Sequence, residues 1–146
     1  MIKQKKRWVL VADGARARIF LKTYGKLENA LDHDFIGNNL DDTHLTTDKP
    51  GRNYESASYA RHSYQPRTDW HQYQETLFSK EICSVLETAN ERHEFDELIL
   101  ICPPKTLGTI RANLNKHILP KITAEFPKDL TKFSESELVA FLEKEF

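Results

Sequence analysis

The residues best suited to chemistry crowd into one stretch: Arg52, Tyr54, Tyr59, Arg61, His62, Tyr64, Arg67, Asp69, Trp70 and His71 lie within residues 52–71. Arginines interleaved with aromatic rings suit unpaired nucleic acid, since guanidinium groups pair with phosphates while rings stack on bases. Ser56, Ser58 and Ser63 beside His62 and Asp69 offer the parts of a nucleophile, base and orienting acid. No Gly-x-Ser-x-Gly elbow holds any of these serines on a strained turn, so His62 and Asp69 are weak catalytic candidates. Asp32-His33-Asp34 and Asp41-Asp42-x-His44 supply oxygen and imidazole donors at short spacing but match no defined metal motif. Asp13, at the end of the first apolar run, is the kind of acid with which a nuclease holds metal, but a two-metal site needs several convergent carboxylates and only Asp32 and Asp34 are available partners, so an aspartate before Gly14 is favoured as a turn former. No metal or cofactor is expected.

A second group joins an apolar strand to a helix start at Pro103-Pro104-Lys105-Thr106-Leu107-Gly108-Thr109-Ile110-Arg111. Free N–H groups at a helix N-terminus hold anions, with Lys105 and Arg111 assisting and Gly108 permitting close approach. The favoured alternative is structural: the prolines stiffen the strand exit, and Gly108 lets the helix pack against the sheet. The stretch is no Walker motif, so nucleotide hydrolysis is not indicated.

The elements that must position these residues follow from hydrophobic spacing. Trp8–Ala12 and Leu98–Cys102 are wholly apolar runs, the pattern of strands buried on both faces. Ala15, Ala17, Ile19 and Leu21 alternate with Arg16, Arg18, Phe20 and Lys22, as in a half-buried strand. A third strand is expected through Leu27–Phe35. Residues 37–71 lack periodicity and hold almost no aliphatic side chains before Trp70, so a long flexible loop is expected. Helices are expected over Gln72–His93, with Phe78, Ile82, Val85 and Ala89 inward beside Leu77 and Leu86, and over Lys105–Leu119. A short strand near Ile122–Phe126 precedes a final helix announced by the Ser134-x-x-Glu137 capping box.

With 146 residues and a net charge of −1, the chain reads as one domain, and any nucleic-acid surface must be local. Residues 1–30 are rich in cations (Lys3, Lys5, Lys6, Arg7, Arg16, Arg18, Lys22, Lys26), and residues 81–100 in acids (Glu81, Glu87, Glu91, Glu94, Asp96, Glu97). A polarised molecule is expected. Cys83 and Cys102 sit among apolar neighbours, which fits a reducing cytoplasm better than a disulfide framework. No apolar run reaches bilayer length and no signal core follows the basic start, so neither membrane insertion nor secretion is expected.

Several strings together resemble the bacterial host attachment protein family, named for proteins required for attachment to host cells. They are Trp8–Phe20, Pro50-Gly51-Arg52, Arg61-His62, Phe95-Asp96-Glu97-Leu98, Pro103–Gly108 with Arg111, and Lys128-Asp129-Leu130-Thr131. That family is similar to the middle domain of archaeal and eukaryotic peptide-release factors. The resemblance implies a ribonuclease-H-like α/β fold, here a mixed five-stranded sheet with about three helices in one domain. It also implies RNA or the ribosome as partner. In those release factors a Gly-Gly-Gln tripeptide in the corresponding loop assists ester hydrolysis. Gly37 and Gly51 are present here, but Gln65, Gln72 and Gln74 have no adjacent glycine, so peptide release is not carried over.

The expected nucleic-acid surface is therefore Arg16, Arg18, Arg52, Tyr59, Arg61, Tyr64 and Arg67, and the expected anion site is Lys105, Gly108 and Arg111. The alternatives are a small ester or phosphoester hydrolase working through His62, or a direct host-attachment factor. No oligomeric state is specified.

Overall fold

The apolar runs become strands that lie side by side at the centre of one sheet. The computed structural model describes residues 5–31, 34–37 and 67–145, with backbone only for 67–69. Its elements are β1 (Arg7–Ala12), β2 (Arg16–Thr23), β3 (Lys26–Asn29), β4 (Phe35–Ile36), α1 (Arg67–Glu91), β5 (Glu97–Cys102), α2 (Pro104–Asn113), β6 (Ile122–Pro127) and α3 (Glu135–Glu145). The sheet order is β3-β2-β1-β5-β6, with β4 also paired to β2. β1–β2, β2–β3 and β2–β4 are antiparallel, whereas β1–β5 and β5–β6 are parallel. Among the described residues the result is a mixed six-stranded sheet with three helices rather than the five strands expected. The expected third strand is two: β3 pairs with Phe20–Thr23 and β4 with Arg16–Ala17. Between them Ala30 N–H still donates to Ile19 C=O, after which the polar run breaks the ladder.

Alternation sorts the side chains onto two faces. Trp8, Leu10, Ala12, Leu98, Leu100 and Cys102 meet Phe78, Ile82 and Leu86 of α1 and Ile110 of α2. Val9, Val11, Ile99 and Ile101 meet Leu138 and Leu142 of α3 on the other side. Both faces of β1 and β5 are thus covered, which is why their sequences carry no polar alternation. Phe20 is fully buried on the α3 side, so the Arg16, Arg18, Phe20, Lys22 face of β2 is not the open solvent face its alternation suggested.

Helix limits follow local hydrogen bonding. α1 starts at Arg67, inside the stretch read as loop, and stops through a Schellman arrangement: His93 is left-handed (φ 58), Glu94 N–H donates to Ala89 C=O and His93 N–H to Asn90 C=O. α2 ends at Asn113 instead of Leu119, because Leu114 is extended and the Asn115 side chain accepts from the N–H groups of His117 and Ile118 at 3.0 and 3.1 Å. The capping box forms: Glu137 N–H donates to Ser134 Oγ, and Ser134 N–H to Glu137 Oε1. Residues 38–66 lie outside the described region, and with them the expected loop flexibility.

The two charge blocks meet rather than polarise the molecule. Parallel pairing sets Arg7 against Glu97, and Arg7 Nε lies 2.5 Å from the Glu97 carboxylate with Lys5 Nζ at 3.3 Å. Lys6 N–H donates to Asp96 at 2.8 Å, and its ammonium to His93 C=O. These charges therefore help fix the register of β1 against β5.

Candidate functional site

At the carboxyl edge of β1 and β5 the chain makes a turn tied by one carboxylate. Asp13 Oδ1 accepts from Ala15 N–H and Arg16 N–H, both at 2.7 Å. Its Oδ2 accepts from the Thr131 hydroxyl at 3.3 Å, and that hydroxyl also contacts Asp129 Oδ1 at 2.7 Å. An aspartate that spans two successive N–H groups forms the turn without ordering any further residue. The turn-forming role is therefore the one observed. Gly14 is closely approached by α1: a Cβ there would lie 2.6 Å from Glu75 Cγ and Cδ, so any larger residue would make that flexible side chain swing aside.

Two strings that carried the family resemblance, Asp13-Gly14-Ala15-Arg16 and Lys128-Asp129-Leu130-Thr131, meet at this knot. A third, Pro103-Pro104-Lys105, begins beside it, because Cys102 sits at the same strand end and its thiol is influenced by Asp13 and Asp129. Burial, reinforced by those carboxylates, pushes the Cys102 thiol up to about 12; burial with Glu87 does the same to Cys83. Neither thiol supplies a nucleophile near neutral pH.

Several cations lie on the segments that meet at the knot: Arg16 is partly exposed at its rim, and Lys105, Lys128 and Lys132 are exposed on the segments leaving the sheet, Lys128 with its ammonium 5.3 Å from the Phe141 ring centroid. Arg18 points to the same side but is committed: its guanidinium donates to Phe133 C=O at 2.6 Å, lies 4.9 Å from the Phe20 ring centroid and 4.0 Å from Asp34. The contact of Glu75 with Gly14 also places the start of α1. Arg67, eight residues earlier on that helix, stands about 12 Å past the sheet edge. Gly37 is at the edge as well, donating its N–H to Ala15 C=O at 2.7 Å. Arg52, Tyr59, Arg61, His62 and Tyr64 lie outside the described residues, as does the side chain of Asp69.

The expected anion site is not brought together. Lys105 is in the first turn of α2, where Pro103 provides no side-chain cap, but Arg111 is in the last turn, about 9 Å further along the helix axis, and pairs with Glu125 of β6. Gly108 is exposed, and a Cβ there would meet nothing within 4 Å, so the glycine is not needed for helix–sheet packing. Among the described residues no three His, Cys, Asp or Glu side chains gather to hold a metal ion. Among them, too, no helix is long and apolar enough to cross a membrane.

Sequence reasoning missed Glu75, Lys128, Thr131 and Lys132. The available signal was the Asp129-x-Thr131 pair, whose short side chains form local turns just after a strand. Of the two residues expected to flank the inward stripe, Leu86 is fully buried, whereas Leu77 is 42% exposed on a different side of α1 from Phe78.

No curated protein matches the chain. The model of the family described as "Protein required for attachment to host cells" matches residues 8–142, which takes in every described strand beyond Arg7 and all three helices up to Leu142. The chain belongs to the family of proteins required for attachment to host cells.

Proposed function

We propose that this member of the host-attachment family is a binding module for RNA or the ribosome, acting in the cytoplasm and affecting attachment indirectly, without peptide-release activity. One observation carries the reading. Gly37, where the segment carrying Arg52, Tyr59, Arg61 and Tyr64 begins, stands at the same sheet edge as Arg16 and the exposed Lys105, Lys128 and Lys132, and Arg67, where it ends, lies about 12 Å beyond that edge along α1. Cations gathered at one edge neutralise phosphates, and the tyrosines between Gly37 and Arg67 supply rings of the kind that stack on bases. The carboxylate at the centre of the edge is occupied by Ala15, Arg16 and Thr131, which suits a rigid platform better than acid–base chemistry. The mixed sheet with helices on both faces supports kinship with the release-factor middle domain and its ribonuclease-H-like architecture. Crosslinking in cells followed by sequencing of the recovered RNA tests the proposal. Enrichment of defined RNA segments that is lost in the Arg16→Ala, Arg61→Ala, Arg67→Ala variant is expected; recovery equal to that of an unrelated protein overturns it.

A further inference from the structure

Helix α1 spans 25 residues, and the sheet accounts for only one of its sides. Phe78, Ile82, Leu86 and Ala89 are buried against β1 and β5. The opposite side presents Trp70, Tyr73, Leu77, Lys80, Glu81, Ser84 and Thr88, which recur at spacings of three and four and so form one continuous stripe. Its N-terminal half is bulky: Trp70, Tyr73 and Leu77 are 37%, 61% and 42% exposed, and the other large exposed apolar side chains among the described residues are Tyr24 and Ile36. Its C-terminal half is hollow. There Ser84 and Thr88 border a shallow groove of about 290 Å³, whose other lining is Leu31, Arg92, Glu94, the half-buried Val85 and the buried Ala89.

We propose that this face of α1 binds a second copy of the same chain, antiparallel, about a twofold axis between Lys80 and Glu81. A twofold axis is the operation that lays the bulky half of one helix on the hollow half of another, and it does so twice. The register is fixed by the residues themselves: Tyr73 comes opposite Thr88, Leu77 opposite Ser84, and Lys80 opposite Glu81. The charges that meet at the axis are then of opposite sign in both copies. A parallel alignment in the same register would oppose Lys80 to Lys80, Glu81 to Glu81 and ring to ring. At the groove end Arg92 comes within reach of the partner's aromatic half, where a guanidinium stacks favourably on a ring face. A helix of this length is about 38 Å long and offers a face about 10 Å wide, less than a standard interface, so the dimer is a weak, concentration-dependent one.

The test is sedimentation velocity on the full chain across about three decades of concentration, comparing wild type with Lys80→Glu, Glu81→Lys and the double variant. Either single change opposes like charges at the axis and should weaken association by about tenfold or more. The double variant should restore it. An equimolar mixture of the two single variants should associate although neither does so alone, because the paired carboxylates of the Lys80→Glu chain then face the paired ammonium groups of the Glu81→Lys chain. Circular dichroism should be unchanged, since both positions are exposed. A wild-type chain that stays monomeric throughout, a dimer indifferent to the single changes, or a mixture that does not associate would each overturn the proposal.

Discussion

Replacing Asp13 with alanine removes one carboxylate that serves three donors, and the geometry sets the cost. Two of them are backbone N–H groups at 2.7 Å, those of Ala15 and Arg16. Hydrogen bonds to a charged group are each worth about 1.5–3 kcal/mol, and partial exposure favours the lower figure, so these two contribute about 3 kcal/mol. The third, from Thr131 at 3.3 Å, adds little, because that hydroxyl keeps its 2.7 Å contact with Asp129. Asp13→Asn preserves an oxygen acceptor without the charge and should cost about 1 kcal/mol, the difference between charged and neutral bonds at these two sites. Urea unfolding reads both changes. With a slope of about 2 kcal/mol/M, the alanine variant should shift its midpoint down by about 1.5 M and the asparagine variant by about 0.5 M. An alanine cost below about 1 kcal/mol, or an asparagine variant as unstable as the alanine one, would refute the role given to this acceptor.

Three further outcomes test other parts of the structure. The Glu97 carboxyl is held below its ordinary range, chiefly by the Arg7 hydrogen bond and then by Lys5, against the opposing effect of burial. Its contribution is therefore present above the unfolded value of about 4.3 and lost as pH falls through the lower folded value, so Glu97→Gln should lower the urea midpoint at pH 7 and converge with wild type at strongly acid pH; a difference that stays constant would show that the ion pair is not the cause. Burial pushes both thiols up to about 12, so Cys83 and Cys102 should resist Ellman's reagent at pH 8 until urea unfolds the chain, and rapid native labelling would contradict their place in the core. Gly108→Ala fills open space on an exposed helical turn and should raise stability by about 0.5–1 kcal/mol in thermal or urea unfolding, whereas a loss would show that something occupies that space.

The elements most legible in the sequence were those whose signal is local. The apolar runs at Trp8–Ala12 and Leu98–Cys102, the buried positions Val11, Ile19, Ile82, Ile99 and Ile101, and the Ser134 cap are all as expected. What misled was set by tertiary context. The cationic and acidic blocks looked like two surfaces because their separation in sequence hides the parallel pairing that joins Arg7 to Glu97. Alternation in β2 marks two faces but not which is covered, and α3 with the 130–133 segment covers the arginine side. The end of α2 was placed late because Leu114 and Ile118 keep helical spacing and are both buried, although Asn115 has turned the chain between them. At the candidate site the turn at Asp13 was legible. Its link to Thr131, 118 positions away, was not, since no local spacing encodes it.

The central claim, that the carboxyl edge binds RNA, is tested most directly by the salt dependence of that binding. Fluorescence anisotropy of a labelled single-stranded RNA and a labelled hairpin, titrated with the full chain at several salt concentrations, gives the slope of log affinity against log salt. Each arginine that neutralises a phosphate releases counterions, so Arg16→Ala should reduce that slope by about one unit, and the Arg61→Ala, Arg67→Ala pair by about two. Tyr59→Ala and Tyr64→Ala should instead weaken single-strand binding at nearly constant slope, because stacking releases few ions. No association at low salt, or slopes that the arginine changes leave unmoved, would contradict it.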